Sequence, residues 1–195
     1  MEGEAPSDEW LMAKVKAGDD SALAVLIRRY EGPLYNYARK MLGNASDAEE
    51  VFQEAFLRVH LHRNRFWNGS VFKPWVYRIV TNLCKDRLRY RKRRPEVAVS
   101  ALRRDDGESG YDVLAQTATP TMTPAAAAEA SELARKMEQA LADLSVKHRA
   151  VFLMAHQEGL SYAEIARALR IPTGTVKSRM NKAVKLLLAV MEGTE

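Results

Sequence analysis

The feature that most constrains this chain is a break in its pattern. From Asp8 to Arg94, and again from Ser131 onward, apolar residues recur at helical spacing. Residues 95–131 show no sustained period. They hold Asp105-Asp106-Gly107-Glu108-Ser109-Gly110, then Pro120 and Pro124 among threonines and alanines. That is the composition of a linker, although Ala125 to Ala128 suit the start of the next helix. Charge divides the chain at the same places. Residues 8–94 carry 18 basic and 10 acidic side chains, residues 95–131 carry 2 and 6, and residues 132–195 carry 10 and 7. Two basic segments therefore flank an acidic one. A length of 195 residues suits one domain or two small ones.

The first segment reads as a series of helices. Asp8 to Ala17 forms a short one closed by Gly18, and a second starts at the capping residues Asp19–Ser21. Glu31-Gly32-Pro33 is expected to kink or divide that second helix. Gly43 and Asn44 stop it. Ser46-Asp47-Ala48-Glu49 fits a capping box for a third helix, with Asp47, Glu49 and Glu50 at the positive end of its dipole. Val51, Phe52, Ala55, Phe56 and Val59 form its buried side, which leaves Glu50, Gln53 and Glu54 for solvent or a partner.

The stretch from Phe66 to Arg94 is the densest in chemistry. Phe72, Trp75, Val76, Ile79, Val80, Leu83 and Cys84 make one apolar stripe, and Trp75 reads as core. Arg78, Thr81, Asn82, Lys85 and Arg89 fall off it. Ser70 is a candidate cap, with Pro74 then in the first turn. Phe66 and Trp67 precede the helix in a loop, and a basic run follows it. Cations hold phosphates and exposed rings stack on unpaired bases, so this arrangement suits a nucleic-acid strand.

The second segment ends in a sharper motif. Leu133, Met137, Leu141 and Leu144 make one stripe, and Ser145 caps the next helix. Ser161 with Glu164 is a capping box, Arg170-Ile171-Pro172 is a tight turn, and another helix starts near Thr173. Two short helices joined this way form a helix-turn-helix, whose second helix enters the DNA major groove. Its leading exposed residues are Thr175, Lys177, Ser178, Arg179, Asn181 and Lys182. Basic residues suit guanine and asparagine suits adenine.

Several classes fall away. One cysteine, Cys84, rules out an internal disulfide and a cysteine-based zinc site. His60 and His62 point about 200° apart on a helix, so they cannot share an ion there. No nucleophile–base set, phosphate-binding loop or metal cluster is visible, and neither an enzyme nor a cofactor is expected. No apolar run reaches the ~20 residues of a membrane span, and MEGEAPSDEW lacks the parts of a signal peptide. A soluble, cytoplasmic chain without membrane insertion is expected.

Three stretches together resemble a known family. They are Asp47-Ala48-Glu49-Glu50-Val51-Phe52-Gln53-Glu54-Ala55-Phe56, then Phe72-Lys73-Pro74-Trp75-Val76-Tyr77-Arg78-Ile79-Val80-Thr81-Asn82, then Leu160-Ser161-Tyr162-Ala163-Glu164-Ile165-Ala166 with Gly174-Thr175-Val176-Lys177-Ser178-Arg179. In this order they resemble the bacterial RNA polymerase sigma factors, specifically the small extracytoplasmic-function (ECF) group. The resemblance implies an all-α fold of two small helical domains joined by a flexible acidic linker. A region 2-like domain would occupy 8–94, the linker 95–131, and a region 4-like helix-turn-helix domain 132–192. It also implies a factor that binds core RNA polymerase and directs promoter-specific initiation. Asp47, Glu50, Gln53 and Glu54 would meet the clamp helices of the largest subunit. The flap of the second subunit is a further polymerase contact that the resemblance implies. Asn64, Arg65, Phe66, Trp67, Asn68, Ser70, Arg78, Asn82 and Lys85 would read the minus-ten element as opened strand. Thr175, Lys177, Ser178, Arg179, Asn181 and Lys182 would read the minus-thirty-five element as duplex. An anti-sigma factor is a further implied partner. The competing reading is an autonomous helix-turn-helix regulator, which ordinarily needs a dimer interface and two half-sites. Residues 132–158 could supply that interface.

Overall fold

The computed structural model describes residues 5–67, 69–94 and 124–191, with backbone alone for 124–129 and Met191. These residues form α-helices and one 3-10 turn, with no strand among them. The first domain comprises α1 (Asp8–Lys16), α2 (Asp20–Leu42), α3 (Ala45–Leu61) and α4 (Phe72–Arg93), with the 3-10 turn Arg63–Arg65 between α3 and α4. The second comprises α5 (Pro124–Asp143), α6 (Val146–His156), α7 (Tyr162–Leu169) and α8 (Thr173–Met191). The all-α expectation is met. Residues 95–123 of the expected linker lie outside the described residues, and Ala125–Ala128 fall inside α5.

In the first domain α2 packs against α3 and α4, and α1 lies across α2 and α4. Leu26, Leu34, Ala38 and Met41 of α2 meet Val51, Ala55, Val76 and Val80 in one core. In the second domain α5, α6 and α7 all pack on α8. Its core includes Leu144, Val151, Leu153, Met154, Ile165, Val176, Met180, Ala183 and Leu187.

Four local expectations are corrected. Pro33 does not divide α2, which runs unbroken from Asp20 to Leu42. The proline is exposed, and the buried stripe continues on both sides of it through Tyr30 and Leu34. Packing therefore outweighs one missing hydrogen bond. Ser46 does not cap α3. Asn44 does, its Oδ1 accepting from the Asp47 N–H at 2.8 Å, so Ser46 and Glu49 lie inside the helix. Ser70 does not cap α4: the cap position is Val71, whose side chain offers no acceptor. Thr81 is not on an exposed flank. It is buried, hydrogen-bonded to Tyr37 Oη at 2.8 Å and donating to the Tyr77 carbonyl at 2.6 Å.

Candidate nucleic-acid and polymerase interfaces

The loop before α4 separates its two aromatics. Phe66 is 3 % exposed, and its ring centroid lies 5.2 Å from that of Trp75 and 6.1 Å from that of Phe72. Core packing accounts for it, which corrects the expectation that both loop rings are available to bases. Trp67 stands 76 % exposed. The chain turns there, with Ser70 N–H donating to the Trp67 carbonyl at 3.0 Å and Gly69 at φ +95°. A residue with a Cβ is strained at that angle, so glycine makes the turn possible. Asn64 and Arg65 are exposed on the 3-10 turn, Ser70 is half-buried, and Asn68 lies outside the described residues.

The polar flank of α4 continues this surface. Asn82 is exposed, and Arg78 and Lys85 are half-buried. Arg78 and Asn82 line one cleft with Arg58, His62, Arg65 and Trp75. Burial holds Arg78 and Lys85 below their ordinary pKa values, and neighbouring cations push the same way: Arg170 for Arg78, Arg179 for Lys85. The surface is a concentrated positive field beside one free ring.

The helix-turn-helix is built as its sequence reads. Ser161 Oγ accepts from the Glu164 N–H at 3.3 Å, and the Glu164 carboxylate accepts from the Ser161 N–H at 2.8 Å. Arg170 ends α7 in the left-handed region, at φ +54°. On α8, Val176, Met180 and Ala183 are buried, which turns Lys177, Ser178, Asn181 and Lys182 to solvent. Thr175 and Arg179 are half-buried at the edge of that face. Ser178 Oγ donates to the Thr175 carbonyl at 3.1 Å.

The acidic helix α3 gives a mixed result. Glu50 and Gln53 are exposed and Glu54 is half-buried, beside a groove lined also by Leu57, Arg58, Leu83, Arg87 and Tyr90. Leu57, 52 % exposed, is an apolar lining residue of this groove that periodicity missed. It sits one residue beyond the buried pair Ala55 and Phe56, so a reading by buried stripe had no use for it. Asp47 is only 8 % exposed. It pairs with Arg87, Nε to Oδ1 at 3.4 Å, and with Arg91 on its other oxygen. Its role here is to tie α3 to α4.

The two domains touch. α4 packs against α7, and α2 packs against α5 and α6. Tyr77 Oη donates to the buried Glu158 carboxylate, and Lys73 Nζ donates to the Glu158 carbonyl at 2.6 Å. Arg149 donates across the seam to the Met41 carbonyl at 2.7 Å and to the Leu144 carbonyl at 3.0 Å on its own side. Desolvation raises the Glu158 pKa, against the lowering effect of the Tyr77 hydrogen bond. Arg167 and Ala168 of α7 border a cleft with Trp67, Ser70, Pro74 and Arg78. Glu158 and Tyr77 carry no motif, and sequence reading missed them.

Comparison with known proteins decides the family. The model of sigma-70 region 2 matches residues 26–94, and that of sigma-70 region 4 matches residues 134–187. The ECF RNA polymerase sigma factor SigW of Bacillus subtilis is 34 % identical over 174 residues, covering 89 % of this chain and 91 % of that protein. The chain belongs to the ECF sigma factors. The ECF sigma factor SigM of Mycobacterium tuberculosis is 33 % identical over 177 residues, covering 91 % of this chain and 81 % of that one. In fold the chain is similar to the sigma factor RpoE of Bartonella quintana, solved with the anti-sigma factor NepR. The TM-score is 0.65 at 20 % identity, over 88 % of this chain and 98 % of that one. As an ECF sigma factor, the protein directs promoter transcription with RNA polymerase. No helix among its described residues is long and apolar enough to cross a membrane.

Proposed function

We propose that this sigma factor divides promoter reading between its two domains. The loop and polar flank around Trp67 read the minus-ten element as opened strand, and the exposed face of α8 reads the minus-thirty-five element as duplex. One observation carries this reading: Trp67 is 76 % exposed while Phe66, Phe72 and Trp75 pack together behind it. A ring in that position is free to stack on an unstacked base, worth about 1–3 kcal/mol. Arg65, Arg78 and Lys85 supply phosphate contacts beside it. On α8, Lys177, Arg179, Asn181 and Lys182 supply base and phosphate contacts suited to a groove.

The groove between α3 and α4 receives the clamp helices of core polymerase. Glu50, Gln53 and Glu54 form its polar edge, and the exposed Leu57 adds an apolar contact. Asp47 supports this surface from within. The region 4-like domain meets the flap of the second subunit. An anti-sigma factor is a further partner, since the RpoE relative was solved with one.

Reading both elements requires the domains to part. The element names imply a separation of about 25 base pairs, roughly 85 Å of duplex at ~3.4 Å per pair. The Tyr77–Glu158 and Arg149–Met41 contacts hold the two reading faces far closer than that.

The test is transcription by core polymerase supplied with the purified protein, on templates selected from random promoter sequence. Trp67→Ala is expected to slow open-complex formation about tenfold while leaving core binding within about twofold. Equal loss of both would remove the proposed role of the loop. Dimeric binding to a two-fold symmetric site without polymerase would favour the autonomous-regulator reading instead.

A further inference from the structure

We propose that Glu9 and Lys16 of α1 are positioning residues that grip both ends of the Trp67 loop and hold it in reading geometry. This rests on the reading of that loop as the strand-contacting element. The need for a grip is visible at the start of α4. The first N–H groups of a helix have no partner within it and ordinarily find one in the cap side chain. Here the cap residue is Val71, which has nothing to offer. Glu9 takes that place from 63 residues away, its Oε1 accepting from the Phe72 N–H at 3.0 Å. A carboxylate there also meets the positive end of the α4 dipole.

The other end of the loop is held from the same helix. Lys16 Nζ donates to the Phe66 carbonyl at 3.0 Å. Glu9 and Lys16 are seven residues apart, two helical turns, so they stand on one face of α1. Between the grip points the chain makes its turn at Gly69 and presents Trp67 to solvent. α1 is itself fixed to α2, because Asp8 accepts from Tyr30 Oη and from the Arg29 guanidinium. The load path runs from the α2 core through Asp8 to α1, and from α1 to the loop. Neither Glu9 nor Lys16 belongs to the surfaces assigned above to DNA or polymerase.

The test uses the full chain bound to core polymerase, with Glu9→Ala, Glu9→Gln, Lys16→Ala and Trp67→Ala variants. Two quantities are measured: affinity for core by competition, and the rate of promoter opening by reactivity of unpaired thymines. Loss of a helix-cap interaction corresponds to about a fivefold change in equilibrium. Glu9→Ala and Lys16→Ala are expected to slow opening about fivefold with core affinity within about twofold. Glu9→Gln keeps an acceptor oxygen and is expected to stay within about twofold of the parent. Opening at the parental rate in both alanine variants overturns the proposal. So does a Glu9→Gln variant as slow as Glu9→Ala, or a parallel loss of core affinity. Should Glu9→Ala fail to fold, Lys16→Ala and Glu9→Gln still decide. If Trp67→Ala leaves opening unchanged, the reading of the loop fails and the grip with it. If Trp67→Ala slows opening and the α1 variants do not, the grip alone fails.

Discussion

Asp47 shows how one carboxylate can look like a contact and act as a strut. In the sequence it opens an acidic run, and the family resemblance gives it to the polymerase. In the structure Arg87 and Arg91 close on it from α4, and Asn44 accepts from its N–H. Removing one member of a buried charged cluster leaves its partners uncompensated. Asp47→Asn is therefore expected to lower unfolding free energy by about 2 kcal/mol in a urea titration. Gln53→Ala, on the exposed rim, is expected to stay within about 0.5 kcal/mol while weakening core binding. Periodicity could not separate the two, because a helical wheel counts a charged residue as outward. Only the arginines of α4, some 40 residues on, make Asp47 an inward one. Thr81 and Tyr77 were obscure for the same reason: α4 has neighbours on more than one side, whereas a single apolar stripe describes only one.

At the scale of elements, the chain announced its helices well and their first residues unevenly. Two S-x-x-E patterns look alike. Ser161-Tyr162-Ala163-Glu164 forms the reciprocal box, with left-handed Gly159 turning the chain just before it. Ser46-Asp47-Ala48-Glu49 does not, because Asn44 stands two residues earlier and takes the cap first. Asn44→Ala is expected to cost about 1 kcal/mol and Ser46→Ala less than about 0.5, measured side by side by thermal melts. The helix-turn-helix was largely legible, since the cap of α7 and the tight turn are local in sequence, but the burial of Ala168 beside Ile165 was not read from it. The support of α4 by Glu9 was not. A cap supplied by another helix leaves no spacing rule to find.

For the whole molecule, the division into two helical units was legible from the aperiodic acidic tract, but their mutual packing was not. The seam depends on a buried acid without a motif. Tyr77→Phe removes the hydroxyl that serves the Glu158 carboxylate, and is expected to shift the balance toward parted domains by about 1–3 kcal/mol. Energy transfer between labels on the two domains would report it. The pH dependence has a definite sign. Burial raises the Glu158 pKa above its ordinary 4.5 in the packed state. The packed state then binds more protons than the parted one between 4.5 and the raised value. Packing is expected to tighten as pH falls through that window, and Glu158→Gln to flatten the response.

The seam also sets how the protein answers to salt. Arg78 faces Arg170 and Lys85 faces Arg179. The opposite charges across the seam respond less to salt: Arg39–Glu138 is an exposed pair at 3.8 Å that contributes little, and Glu158 is buried away from counterions. Where opposite charges join two bodies, added salt loosens them; where like charges are pressed together, screening relieves the repulsion. This factor should therefore grow more compact as ionic strength rises, with a radius of gyration that falls between low and high potassium chloride. DNA phosphates draw the same cations outward and lose their hold as salt rises. Counterions thus work on both sides of one balance, favouring the folded-up factor under the same conditions that weaken its grip on a promoter.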